Sequence, residues 1–318
     1  MSASIASASS WPNRLHPTRV QPALRDLAQP VQPELGEAGP VVLQPNYGPD
    51  GLNEALGSQS MVENLRAQFD SAEPFPHIVL DGLFDPALLE RVAADFDRVH
   101  GDDWIKYDNA NELKFGTRPN VRLGPGSQTY FDTIHRARFT QFLTAVSGIR
   151  GLLPDPMLRG GGLHEIPVGG KFGVHTDFTR HADTRLDNRL VFITYLNKGW
   201  QDAWGGALEL WSPSACIRRV EPVFGRSILF SHSATSLHGH PDPVDTPDGR
   251  TRRSVAAYFY TNGRPDPTPA ERIGTRFLNP VTTEPSTRDK LIRQLKYVMP
   301  PVIVDGLKRV RRHKPKIV

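Results

Sequence analysis

Phe172-Gly173-Val174-His175-Thr176-Asp177-Phe178 is the stretch from which the rest of the chain can be read. Side chains alternate across a strand, so His175 and Asp177 share one face while Val174, Thr176 and Phe178 take the other. An imidazole and a carboxylate presented together by a rigid strand can supply two ligands of a two-histidine, one-carboxylate metal site. The pattern His-x-Asp is weak evidence by itself, because it recurs at His181/Asp183 and His240/Asp242. Context separates the copies. His181 and Asp183 fall in the charged run 179–189, which reads as a solvated loop. His240-Pro241-Asp242-Pro243 holds two prolines and reads as a turn. The bland alternative for the first copy is a strand-edge histidine beside a solvated aspartate.

Outward from this stretch, residues 157–261 break into short apolar runs punctuated by glycine. Strands are expected at 162–166, 173–178, 190–196, 207–211, 217–220, 227–231, 236–238 and 253–260. Eight short strands with turn signals between them indicate a sandwich or barrel. Upstream, residues 75–80 read as a strand. Asp85-Pro86 then supplies an N-cap and a first-turn proline. The helix that follows repeats Leu88, Leu89, Val92, Ala93 and Phe96 at helical spacing. A second helix is expected over 134–146, ending near Gly148, and a short amphipathic one over 61–69. The fold class is therefore mainly β with flanking helices. Residues 1–70 carry scattered prolines without a sustained apolar period and are expected to be disordered or loosely packed. Residues 71–265 would form the folded domain. Residues 266–318 would be an extension with a helix at 286–298 and a basic tail.

Composition narrows the classes further. A single cysteine, Cys216, excludes an internal disulfide framework and fits a reducing compartment such as the cytoplasm. Its place in an expected strand favours packing over nucleophilic chemistry. No run of about 18 apolar residues is present, so no membrane span is expected. The N-terminal Ser/Ala stretch lacks the basic-then-apolar order of a secretory signal. The net charge of +4 belongs to the tail: six Lys and Arg and no acid lie between 308 and 318, leaving the rest acidic by two. Such a tail reads as a solubilising end, and nucleic acid is not the expected partner.

A third metal ligand must come from a strand facing the first pair. His238 resumes a strand after Leu229-Phe230 and is favoured over His240, which proline follows at once. A small acid co-substrate would need a cation. In Arg252-Arg253-Ser254-Val255-Ala256-Ala257-Tyr258, alternation places Arg252, Ser254 and Ala256 on one face and Arg253, Val255 and Ala257 on the other. A guanidinium matches a carboxylate bidentately, and inside a barrel it would be unpaired until an anion met it. Tyr195, in the strand 191–197, could add a phenolic hydrogen bond; its bland reading is core packing.

Taken in order, His175-x-Asp177, Ile193-Thr194-Tyr195-Leu196-Asn197-Lys198 with Trp200, Gly205-Gly206-x-Leu208-x-Leu210, His238 and Arg252-x-Ser254 resemble the iron(II)/2-oxoglutarate dioxygenases of prolyl-4-hydroxylase type. The resemblance spans roughly 75–263 and includes a bacterial subgroup with His-Gly-His-Pro-Asp-Pro before the arginine strand. It implies a double-stranded β-helix, the jelly-roll or cupin-like barrel. It also implies iron(II) on His175, Asp177 and His238, and 2-oxoglutarate on Arg252 with Tyr195 and Ser254. Dioxygen would be the oxidant and ascorbate an optional reductant. The implied reaction hydroxylates a C–H bond of a peptide, amino acid or small metabolite, releasing succinate and CO2. The alternative is a non-catalytic cupin-like binding module, which would have no use for Arg252 and Tyr195 beside an open metal face. Two departures stand out. Fourteen residues separate His238 from Arg252, which leaves Arg253 as a competitor, and the insertion 179–189 is expected to form part of a lid. Position 258, where nucleic-acid demethylases of this superfamily carry a second arginine, is Tyr258. Substrate and oligomeric state are not legible.

Overall fold

The computed structural model describes residues 39–265 and 271–278. Two antiparallel sheets face one another. The first contains β2 (His77–Asp81), β11 (Ser227–Ser231), β8 (Asp187–Tyr195), β13 (Arg252–Thr261) and β6 (Gly162–Ile166), in that spatial order. The second contains β7 (Phe172–Thr176), β12 (Leu237–His240), β9 (Leu208–Trp211) and β10 (Cys216–Val220). The hairpin β3 (Trp104–Asn109) and β4 (Glu112–Thr117) joins them, because β4 pairs with both β6 and β7. From β6 to β13, successive strands alternate between the sheets except for the β9–β10 hairpin, which is the winding of a double-stranded β-helix. Short elements complete the edges: β1 (Val41–Val42) beside β2, β5 (Leu153–Pro154) beside β13, and β14 (Arg276–Phe277) beside β7.

Period-2 alternation sorts the side chains of the first sheet. In β8, Leu190 and Phe192 pack outward against helices, while Val191 and Tyr195 point into the barrel. In β13, Val255, Ala257 and Phe259 pack outward, and Arg252, Ser254, Ala256 and Tyr258 face the interior cavity. The outer layer is built by α1 (Gln59–Ser71), α2 (Pro86–Asp95), α3 (Pro125–His135) and α4 (Ala137–Ser147). Asp85 caps α2 by accepting from Ala87 N at 2.8 Å, with Pro86 at its first position. Gly148, at φ 70°, ends α4 in the left-handed conformation that glycine adopts without a Cβ penalty. The single helix expected over 134–146 is instead two, because Arg136 is extended between α3 and α4.

Residues 39–70 overturn an expectation. They are packed: Leu43, Leu52, Leu56, Leu65 and Phe69 are all buried in the outer core. The period-based reading missed them because the first three sit in irregular backbone stitched by side-chain hydrogen bonds. Asn53 holds this segment, accepting from Ala55 N and donating from Nδ2 to Gln44 O and Gly82 O, each at 2.9 Å. Buried irregular backbone is tolerable only when its polar groups are met in this way. The expected helix over 61–69 is part of α1. Residues 1–38, the helix expected at 286–298 and the basic tail lie outside the described residues. Among those described, no helix is long and apolar enough to cross a membrane.

Candidate active site

His175 lies next to the end of β7 and His238 next to the start of β12, and the two residues are direct cross-strand partners. Their ring centroids lie 4.4 Å apart. Asp177, one residue beyond β7, turns its carboxylate between them: Oδ1 is 3.3 Å from His175 Nε2 and Oδ2 is 3.5 Å from His238 Nε2. All three are buried, and their candidate donor atoms fall within 4.8 Å of one another. Each imidazole has its tautomer set by the backbone. Nδ1–H of His175 donates to Gly173 O at 2.8 Å, and that of His238 to Ser236 O at 2.9 Å. That leaves both Nε2 lone pairs aimed at the common centre, the arrangement metal-bound histidines use. Burial and the neighbouring His238 push His175 down to about 4, so it is neutral and ligand-competent. Burial alone would raise Asp177, but the two imidazoles outweigh it and hold the carboxyl well below its usual range.

Further contacts fix the carboxylate. Tyr258 Oη donates to Asp177 Oδ2 at 3.3 Å. The Asp177 carbonyl accepts from His232 Nε2 at 3.2 Å and from Arg272, which also donates to Thr176 Oγ1 at 2.8 Å. His240 is not in a turn, as its prolines suggested, but at the end of β12, buried and paired with Phe172. A bulge between the His238 and His240 pairs turns Phe172 inward, with its ring centroid 3.8 Å from that of His175. Gly239 is required there, since a Cβ would lie 2.8 Å from the carbonyl oxygens of Phe172 and Gly173. Phe178, expected on the outer face, lines the cavity beside Tyr258 at 4.9 Å, because the chain leaves the strand after Thr176.

Strand parity separates the two arginines. Arg252 is buried, and its Nε donates to Gly206 O at 2.7 Å. Its guanidinium lies 5.0 Å from the Tyr195 ring, and no carboxylate of the described residues forms an ion pair with it. The Tyr195 hydroxyl is buried without a partner, and Ser254 lines the same cavity. Arg253 faces outward onto Glu165 at 2.9 Å and Asp97 at 3.2 Å. The cavity that holds Arg252 and the His–Asp–His cluster is about 440 Å³.

The conformation of two walls of this cavity could not be derived from the sequence. The β3–β4 hairpin brings Tyr107, Glu112 and Lys114 to it, and the segment around β14 brings Ile273 and Phe277. Neither hairpin strand carried a helical or strand period strong enough to be read. The run 179–189 is also not a solvated loop. Thr179 and His181 are buried, and the charges pair internally: Arg159 with Asp183 at 2.7 Å, Arg180 with Asp187 at 3.3 Å, and Arg185 with Glu271. Backbone hydrogen bonds from Thr179 and Arg180 to Arg272 O tie this run to the 271–278 segment.

Residues 161–260, which contain every candidate ligand and Arg252, match the model of the 2OG-Fe(II) oxygenase superfamily. That match takes in about a third of the chain and supports a 2-oxoglutarate-dependent dioxygenase. No curated protein matches it. Among solved structures it resembles a Pseudomonas putida prolyl-4-hydroxylase (20% identity, 63% of this chain and 100% of that one, TM-score 0.45). A 2OG-Fe(II) oxygenase-family oxidoreductase from Burkholderia pseudomallei is similar at 15% identity over 70% of this chain and 95% of that one, with TM-score 0.45. Streptomyces hygroscopicus HygX, with nickel, 2-oxoglutarate and hygromycin B bound, is similar at 12% identity over 62% and 87%, with TM-score 0.45.

Proposed function

We propose that this chain hydroxylates a C–H bond of a small molecule or peptide, with His175, Asp177 and His238 holding iron(II). Arg252, Tyr195 and Ser254 would seat 2-oxoglutarate. One observation carries the reading: two imidazoles with fixed tautomers and a carboxylate share a cavity with a buried guanidinium that has no carboxylate partner. His175 Nε2, buried without a hydrogen-bond partner, is the orphan that a metal would satisfy. Iron(II) with 2-oxoglutarate supplies the oxidation of the C–H bond by dioxygen, releasing succinate and CO2, with ascorbate as an optional reductant.

The residues of the chain do the positioning. His175, Asp177 and His238 would hold the metal and leave room on it for co-substrate and oxygen. Tyr258 fixes which Asp177 oxygen turns outward, and the backbone acceptors of His175 and His238 hold both rings in place. Arg252 and the Tyr195 hydroxyl would meet the distal carboxylate of 2-oxoglutarate, giving a desolvated cation its anion. Phe172, Phe178 and Ile193 line the cavity with apolar surface that excludes water from the reacting atoms. A cupin-like binding module would not explain why Arg252 is buried facing the cluster. The catalytic body on this reading runs from 39 to 278.

The test is conversion of 2-oxoglutarate to succinate by the purified protein with iron(II) and a panel of amino acids, peptides and small metabolites. Turnover should vanish in His175→Ala while the folded spectrum persists, since the buried ring lines the cavity and the outer core against the helices is untouched. Iron-independent succinate formation, or turnover retained in that variant, would refute the assignment.

A further inference from the structure

The cavity contains a second buried cation that the metal and co-substrate assignments do not use. Lys114 lies on β4, with Glu112, on the inner face. Gly116 pairs with His164 across β4 and β6, and Arg252 pairs with Ile166 across β13 and β6. Continuing the antiparallel register by two residues sets Lys114 level with Ile166, so Lys114 and Arg252 flank Ile166 from its two sides. The ammonium sits 3.3 Å from the Phe172 ring centroid and 5.0 Å from that of Tyr107. Its nearest carboxylate oxygen, Glu112 Oε2, is at 3.5 Å, and the other Glu112 oxygen already accepts from Asn109. Glu112 is its one carboxylate partner among the described residues, and burial, with Lys114 only 9% exposed, pulls the ammonium below its usual pKa. A buried ammonium with ring faces and one slack ion pair is poorly compensated. Beside it His240, paired with Phe172 across the strands, is 3% exposed and has both ring nitrogens buried without partners.

Resting on the dioxygenase reading above, we propose that Lys114 and His240 form a carboxylate-binding subsite for the molecule being hydroxylated. The co-substrate does not need it, because Arg252 already supplies one cation for the distal carboxylate, next to the unpartnered Tyr195 hydroxyl. The stack of Lys114 on Phe172 on His175 also gives the subsite a location. A carboxylate held by Lys114 would lie beside the Phe172 ring, which itself packs on the ligand His175, so the carbons next to it would share the cavity with the metal cluster. The substrate class is therefore a small carboxylic acid, oxidised within a few bonds of its acid group.

The full-length protein, loaded without oxygen with iron(II) and saturating 2-oxoglutarate, can be titrated by calorimetry with N-acetyl-L-proline, N-acetyl-L-leucine and their carboxamides. Loading comes first and tests the dioxygenase reading by itself; failure to load would sink that reading before any acid is added. At least one acid should bind about tenfold or more tighter than its carboxamide, the scale of one charge-assisted hydrogen bond. Lys114→Met should abolish that preference, Lys114→Arg should restore part of it, and 2-oxoglutarate loading should stay at the wild-type level in both. The subsite is disproved if no acid of the panel outbinds its carboxamide, or if the preference survives in Lys114→Met. It is equally disproved if Lys114→Met weakens 2-oxoglutarate itself, because the ammonium would then serve the co-substrate. Should the Met variant not fold, the wild-type comparison of acids with carboxamides still decides.

Discussion

Arg252 and Arg253 are adjacent in sequence and opposite in environment, which makes them the sharpest probe at the scale of single residues. Alternation in β13 sends the first into the barrel and the second onto Glu165 and Asp97. Replacing Arg252 by Ala should raise the 2-oxoglutarate concentration needed for half-saturation about tenfold or more, since a charge-assisted pair contributes roughly 1.5–3 kcal/mol. Replacing Arg253 by Ala should leave that concentration unchanged and cost at most about 1 kcal/mol of stability, as exposed and half-buried ion pairs usually do. Co-substrate titration of the two variants side by side is the measurement. Equal losses would mean that the interior face of β13 has been misread. This pair was legible in the sequence because a one-residue error in register would have exchanged every side chain in the strand. Lys114 was not legible, since a lysine in an unrecognised hairpin has no periodic context to mark it as buried.

At the scale of elements, what could be read was what repeats. The barrel strands carry alternation on both faces, and α2 carries its capping aspartate and proline, so their places followed from pattern. The elements that escaped are those held by individual contacts. Asn53 stitches the irregular stretch before α1, and the bulge opposite Gly239 brings Phe172 inward against simple parity. The 271–278 segment reaches the site through Arg272, Ile273 and the two-residue strand β14. Gly239 shows how much depends on one such contact. A methyl group there would lie 2.8 Å from two carbonyl oxygens of the facing strand, so β7 and β12 would have to separate. Since these strands carry His175 and His238, Gly239→Ala should lose metal affinity together with about 1–3 kcal/mol of stability. Denaturation and metal titration on the same sample check this. A variant that lost stability but bound metal normally would show that the strands yield elsewhere.

For the whole molecule, the barrel gathers groups that are unfavourable to bury until ligands arrive. Among the described residues, the cavity is lined by Lys114, Arg159 and Arg252, four histidines (His164, His175, His238 and His240) and two anions, Asp177 and Glu112. Burial pushes His164 down to about 4 and His240 well below its usual value, so these rings stay neutral and do not add to the positive charge. Arg252 cannot take that route, and an unpaired buried guanidinium strains the apo protein. The jelly-roll frame supports this because its outer core, with Phe84, Phe139, Phe192 and Phe259 packed against the helices, does not depend on the cavity being filled. Loading should therefore stabilise in two separable steps. On the proposed function, a metal ion would satisfy the His–Asp–His cluster and 2-oxoglutarate would then satisfy Arg252. Ligand that binds only the folded state at a hundred times its Kd adds about 2.7 kcal/mol, which a thermal scan reads as a rise in Tm. Manganese(II) alone should give the first rise, and 2-oxoglutarate should give the second only when metal is present. Arg252→Ala should keep the first and lose most of the second, and His175→Ala should lose both. A second rise that persists in Arg252→Ala would place the distal carboxylate of 2-oxoglutarate on another cation.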